Sequence, residues 1–371
     1  MRSKLKILAF TLIPCLIFFG LLEVGIRIWG GLSPSIFSLP LPEEKAGLFR
    51  FDPELFWSMK PEADVNYKGS RVVTNELGLR GPFVPVKKNN EFRILSLGES
   101  STFGARVEYE QTYSALLEKL LNRSFPRGPY FRVINAGVSA YSSFQSYRYL
   151  LNRGLKLKPD LVLFYHEFND YLPSSLRDST HCELGVPLSD MELHRMRRRS
   201  VSGRLIRYSA LYRALRLLTA RRAIMRFGEA ETSNPLLKIG LPDTGLAPRL
   251  RMNRRGKRTR LDLDEKRLPT RVSRTERGII LEKLAALCRE NRVQLLLIHP
   301  SYRKSQAHQC ILTEFAKQSQ LPLFEAFPVL HPPGKDVSDY FVDSWHPTPL
   351  GHRALAESLF EFLRKKMDLP S

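Results

Sequence analysis

The sequence predicts an α/β fold in three layers, a five-stranded parallel sheet with helices on both faces. Three observations carry this: apolar runs of strand length recur from residue 93 onward, helix-period segments stand between them, and polar residues gather where the runs end. The runs are RILSLG (93–98), FRVINAG (131–137), DLVLFYH (160–166), VQLLLIH (293–299) and PLFEAF (322–327). Strands apolar without alternation are covered on both faces, as in parallel sheets. TYSALLEKLLNR (112–123) and ERGIILEKLAALCREN (276–291) repeat apolar residues at three and four positions and supply covering helices.

Upstream, the chain divides into an anchor at 1–30 and an extended, turn-rich linker at 31–92, before the domain at 93–371. Ile7 to Leu22 carry no charge, and a helix from Ile7 to about Trp29 matches the ~20 residues that cross a bilayer. Arg2, Lys4 and Lys6 favour a cytoplasmic N-terminus with the remainder exported, periplasmic or extracellular. No small-residue cleavage site follows the apolar run, which favours a retained anchor over a signal peptide. Segment 31–92 is rich in Pro, Gly and aromatic residues, a composition for short strands and turns.

The formal charge of +21 is concentrated. An insert at 190–277 holds 24 Lys plus Arg against 9 Asp plus Glu, a net of +15. Within it, residues 204–227 place Leu205, Tyr208, Tyr212, Leu215 and Leu218 on one helical face among arginines, and 249–260 lacks periodicity and reads as a mobile loop. An anionic surface or polymer is the partner this insert fits. Nucleic acid is disfavoured for an exported domain. Cys15 lies in the anchor, and Cys182, Cys288 and Cys310 show no regular spacing, so neither a disulfide framework nor a metal site is expected. Cys288 falls on an apolar helical stripe and reads as core. No cofactor is implied.

Chemistry is expected at the carboxyl ends of the strands, where open α/β sheets bind ligands. The first run ends on Gly98-Glu99-Ser100, a hydroxyl that becomes nucleophilic only beside a base. The second ends at Asn135 and Gly137, where the glycine permits close backbone approach. The third is followed by Asn169, whose amide can donate to an oxyanion. Asp343 and His346, three residues apart before an amphipathic helix, can act as orienting carboxylate and general base. His166, His299 and His352 read as structural.

The blocks Gly98-Glu99-Ser100-Ser101-Thr102-Phe103-Gly104, Gly137, Asn169-Asp170 and Asp343-Ser344-Trp345-His346-Pro347 resemble those of the SGNH hydrolases, the GDSL esterase/lipase superfamily. The resemblance spans 93 to 366 apart from the insert. It implies a flavodoxin-like sheet and a catalytic triad of Ser100, Asp343 and His346. The implied oxyanion hole is formed by Ser100, Gly137 and Asn169. Glu99 stands where the family has Asp, and Glu167 where it has Gly two residues before the Asn. The implied activity is hydrolysis of a carboxylic ester on a carbohydrate or lipid. An O-acyltransferase acting on a cell-envelope polysaccharide and a non-catalytic binder of anionic polymer are the alternatives. Whether the 204–227 helix docks a lipid surface or merely caps the domain is open at this point.

Overall fold

The computed structural model describes residues 2–32, 47–172, 189–199, 209, 211–212, 250–252, 258–260, 270–305 and 310–370. A helix spans Arg2–Leu32, and its Thr11–Ile28 stretch has a mean hydropathy of 1.9 over 18 residues with none of it buried. By length and composition it can cross a membrane.

Strands β1 (Phe49–Asp52) and β2 (Phe56–Met59) pair antiparallel, as do β3 (Asp64–Tyr67) and β4 (Ser70–Val73). Short strands were expected in this segment. Its packing was not: Leu48, Leu55, Met59, Val72 and Leu79 are buried in the same core as Leu95 and Leu97. Residues 47–79 therefore fold onto the domain instead of standing off it as a linker.

The central sheet begins with β5 (Glu91–Gly98), β6 (Tyr130–Gly137) and β7 (Leu161–Tyr165). A separate antiparallel pair, β8 (Leu250–Met252) with β9 (Arg258–Arg260), intervenes before β10 (Gln294–His299) and β11 (Leu323–Glu325) complete the sheet. The order is β11-β10-β7-β5-β6, parallel throughout. All five strands coincide with the apolar runs. Within the stretch 249–260, expected as a mobile loop, residues 250–252 and 258–260 pair antiparallel, and the others lie outside the described residues.

Side chains alternate across the sheet. Leu95, Leu97, Val162, Phe164, Leu295 and Leu297 meet Leu150, Leu281, Leu284 and Leu312 from helices Ser143–Asn152, Arg274–Glu290 and Ile311–Gln318. Ile94, Leu163, Leu296 and Ile298 face the other way onto Leu117 and Leu121 of helix Tyr113–Ser124 and Leu355 and Leu359 of helix Pro349–Lys366. The three-layer expectation holds, and Cys288 is 1% exposed in the first of these cores. Because β6 and β7 lie on opposite sides of β5, the chain reverses its progression there, and the crevice opens where β5 and β7 end.

Cys182 and most of the 204–227 segment lie outside the described residues. Of that segment, Ser209 donates through its hydroxyl to Glu23 at 2.9 Å and the Leu211 N–H donates to the same carboxylate at 2.8 Å. Both flanks of the basic insert are embedded in the domain: Asp190 and Arg271 form a buried ion pair at 2.8 Å, and Arg277 is 1% exposed.

Candidate active site

Ser100 opens the short helix Ser100–Phe103 directly after β5. The turn can form only because residue 98 is glycine: a Cβ there would lie 2.0 Å from Thr102 Oγ1. Gly104 ends the helix at φ 80, and the buried Arg80 guanidinium donates to the carbonyls of Phe103, Gly104 and Val107. The orphan carbonyls of the helix that Ser100 opens are thus capped by an arginine from the N-terminal segment.

Asp343 and His346 sit in a loop closed by an antiparallel bridge between Phe341 and Pro347. The Asp343 carboxylate accepts the N–H groups of Trp345 at 2.8 Å and His346 at 2.9 Å, an Asx-type turn that explains the three-residue spacing. The same carboxylate holds His346 Nδ1 at 2.8 Å, and His346 Nε2 lies 2.9 Å from Ser100 Oγ. The Ser100, His346 and Asp343 side chains thus form a continuous hydrogen-bonded chain.

The electrostatics favour a neutral imidazole facing the serine. Burial lowers the His346 pKa; Asp343 pulls it upward, Lys68 and Arg106 push it down again, and the net is below the ordinary value. Burial acts to raise Asp343, but the His346 imidazole and the two turn N–H groups outweigh it and hold the carboxyl well below the usual range. Arg106 Nε also pairs with Asp343 at 2.9 Å.

Asn169 follows β7 and is 3% exposed. Its side-chain amide donates to the Tyr141 carbonyl at 3.0 Å, which leaves its second N–H for a ligand. Glu99, beside Ser100, accepts the Asn169 N–H at 3.2 Å and the Tyr302 hydroxyl at 2.8 Å. Burial pushes the Glu99 carboxyl up to about 7. Tyr302 and Phe168 pack around Trp345, with Phe168 and Trp345 stacked at 4.1 Å. The turns bearing Ser100, Asn169 and His346 are therefore braced against one another.

Gly137 is in close contact with the helix Ser100–Phe103, since a Cβ on it would lie 2.3 Å from Phe103 N. Its N–H, however, donates to Asn135 Oδ1 at 3.0 Å, and Asn135 Nδ2 in turn donates to Thr102 O at 2.8 Å. This pair clamps β6 to the helix. Three residues on, Ala140 has φ 66, and among the described residues its N–H has no acceptor. Arg271 donates to the Ala140 carbonyl at 2.7 Å and fixes the peptide that follows it. Positive φ at a non-glycine residue leaves no trace in the sequence pattern.

Three further histidines at or near the sheet, His166, His299 and His352, each have a hydrogen-bond partner. His166 Nε2 meets Ser146 Oγ at 2.7 Å, His352 Nδ1 accepts the Tyr113 N–H at 3.2 Å, and His299 Nδ1 meets Glu325 at 2.7 Å. Sequence reasoning missed Arg80, Arg271, Lys68 and Tyr302, which support the site from segments without catalytic motifs.

No family model and no curated protein matches the chain. Among solved structures it is similar to LAE5, an α/β hydrolase enzyme from the metagenome of Lake Arreo, with 14% identity over 73% of this chain and 94% of that one and a TM-score of 0.40. It is similar also to a catalytic mutant of an acetylxylan esterase from Geobacillus stearothermophilus, with 14% identity, 74% and 93% coverage and a TM-score of 0.41. A GDSL-like lipase from Bacteroides thetaiotaomicron gives 12% identity, 76% and 92% coverage and a TM-score of 0.39.

Proposed function

We propose that the chain is a serine hydrolase of the SGNH type that cleaves a carboxylic ester through an acyl-enzyme on Ser100. The observation that carries this reading is the unbroken hydrogen-bonded chain from Ser100 Oγ through His346 to Asp343. His346 takes the serine proton as the hydroxyl attacks the ester carbonyl, then returns it to the leaving alcohol. Water, deprotonated by the same imidazole, hydrolyses the acyl-enzyme. Asp343 holds Nδ1 protonated and Nε2 free to accept.

The developing oxyanion is bound by the Ser100 N–H and the open N–H of the Asn169 amide. The third donor, expected at Gly137, passes in this reading to Ala140, because the Gly137 N–H is already given to Asn135. Acylated carbohydrate is the substrate class we favour, and the Arg2–Leu32 helix anchors the enzyme to a membrane with its domain exported. Support for the anchor is the apolar Thr11–Ile28 stretch behind a basic N-terminus.

Hydrolysis of p-nitrophenyl acetate by the full chain in detergent tests the chemistry, with Ser100→Ala beside it. Turnover that falls by roughly 10³-fold or more in the variant, with the fold retained, is the expected result. A burst of p-nitrophenol without turnover would instead mark an acyl-enzyme waiting for a sugar hydroxyl, the transferase alternative. Equal rates in both proteins would remove Ser100 as nucleophile.

A further inference from the structure

Three side chains that the triad does not use converge beside the crevice. Glu167 follows β7, His299 ends β10 and Cys310 precedes helix Ile311–Gln318; all three are buried, and one ligand atom of each lies within 4.8 Å of the others. His299 is fixed from behind, since its Nδ1 meets Glu325 Oε2 at 2.7 Å. That contact turns Nε2 toward Glu167, whose Oε2 is 3.4 Å away.

We propose that Glu167, His299 and Cys310 form a zinc site, with water as the fourth ligand. Two features favour this over a simple ion pair. A carboxylate on the far nitrogen of an imidazole is the usual support for a metal-binding histidine. The 3.4 Å separation of Nε2 and Oε2 also matches the edge of a tetrahedron with bonds of about 2.0–2.1 Å. The donor set chooses the metal. A thiolate and an imidazole suit zinc, whereas magnesium and calcium take oxygen ligands. Binding displaces the Cys310 thiol proton to solvent as the sulfur–metal bond forms. The ion would tie the end of β7 to that of β10 and hold the 167–169 turn that carries Asn169. The non-metal arrangement is an imidazolium shared by Glu167 and Glu325.

The test is a cobalt(II) titration of the full chain in detergent after stripping with a chelator. A saturable near-ultraviolet thiolate-to-cobalt band, displaced by zinc and lost in Cys310→Ser, is expected. Glu325→Gln, which keeps all three ligands, should weaken cobalt binding roughly 10- to 100-fold. Absence of the band in the wild type overturns the site, and so does a band that survives Cys310→Ser, because it would belong to another thiol. If Cys310→Ser does not fold, X-ray absorption of the zinc-loaded wild type decides: one sulfur near 2.3 Å supports the site. A sulfur-free shell refutes it.

Discussion

At the scale of single residues, the protonation of His346 is set by groups of opposite effect. Its folded pKa lies below 6.5, and the base is the neutral form, so kcat/KM should hold on the acid side of 6.5 and fall only as pH drops through the lowered value. Lys68 helps to depress it, so Lys68→Ala should move the acid limb upward; an unmoved limb would mean that solvent screens the lysine completely. Asp343→Asn keeps the loop's shape but presents the wrong tautomer, and should lower kcat by about 10³–10⁴-fold. Ser100 and Asn169 were legible as polar residues that follow apolar runs, and Asp343 and His346 as a pair three residues apart before an amphipathic helix. Lys68 and Arg80 were not, because a residue that acts across the fold from a turn-rich segment carries no spacing signal. Glu167, His299 and Cys310 hid for the same reason: metal ligands are read from short spacings, and these three come from three different sheet and helix ends.

At the scale of elements, glycine separates the turn that makes the site from the helices that cover it. Gly98→Ala drives a methyl into Thr102 and the Tyr165 carbonyl, at 2.0 and 3.0 Å. The helix Ser100–Phe103 must shift, and the variant should lose both activity and thermal stability. Gly278, inside helix Arg274–Glu290, has nothing within 4 Å of an added Cβ. Gly278→Ala should therefore stabilise by about 0.5–1 kcal/mol, read from a denaturant midpoint, with activity unchanged. A loss of stability there would show that the helix packs more tightly than its open Cβ position implies. The same contrast explains legibility. Helices and buried strands repeat every three to four residues or run apolar, so their positions follow from sequence. The antiparallel β8–β9 pair has only three residues per strand, too few to establish a period.

For the whole molecule, the folded state rests on buried groups that resist charging and on a core that extends upstream of the sheet. Burial pushes His352 down to about 3 and His166 well below 6.5. Unfolded, both titrate near 6.5, so the unfolded chain binds more protons below that pH. The stability they contribute is complete above 6.5 and is lost as pH falls toward 3. Glu99, raised to about 7, acts oppositely: its contribution is complete below about 4.5 and lost as pH rises through 7. Four lowered histidines, His331 and His346 included, stand against the raised carboxyls of Glu99, Glu118 and Asp170, so the melting temperature should climb from pH 4 to 6.5, and less steeply in His352→Gln.

The extent of the folding unit gives the sharper test. Leu48, Leu55, Val72 and Arg80 are each no more than 1% exposed, and they join the sheet core or cap the helix Ser100–Phe103. Burying a leucine is worth about 1.5–3 kcal/mol. A chain begun at residue 93 loses several such groups, a loss comparable with the ~5–15 kcal/mol of net stability typical of a domain, and the arginine cap besides. A chain begun at residue 47 loses the apolar helix, the residues that follow it and the Glu23 contacts with Ser209 and Leu211. The shorter truncation should therefore yield soluble protein with the full chain's esterase rate, and the longer one should not fold. If the chain from 93 melts cooperatively and turns over substrate, the two N-terminal sheets are an appendage, and the arginine cap on Ser100's helix is dispensable.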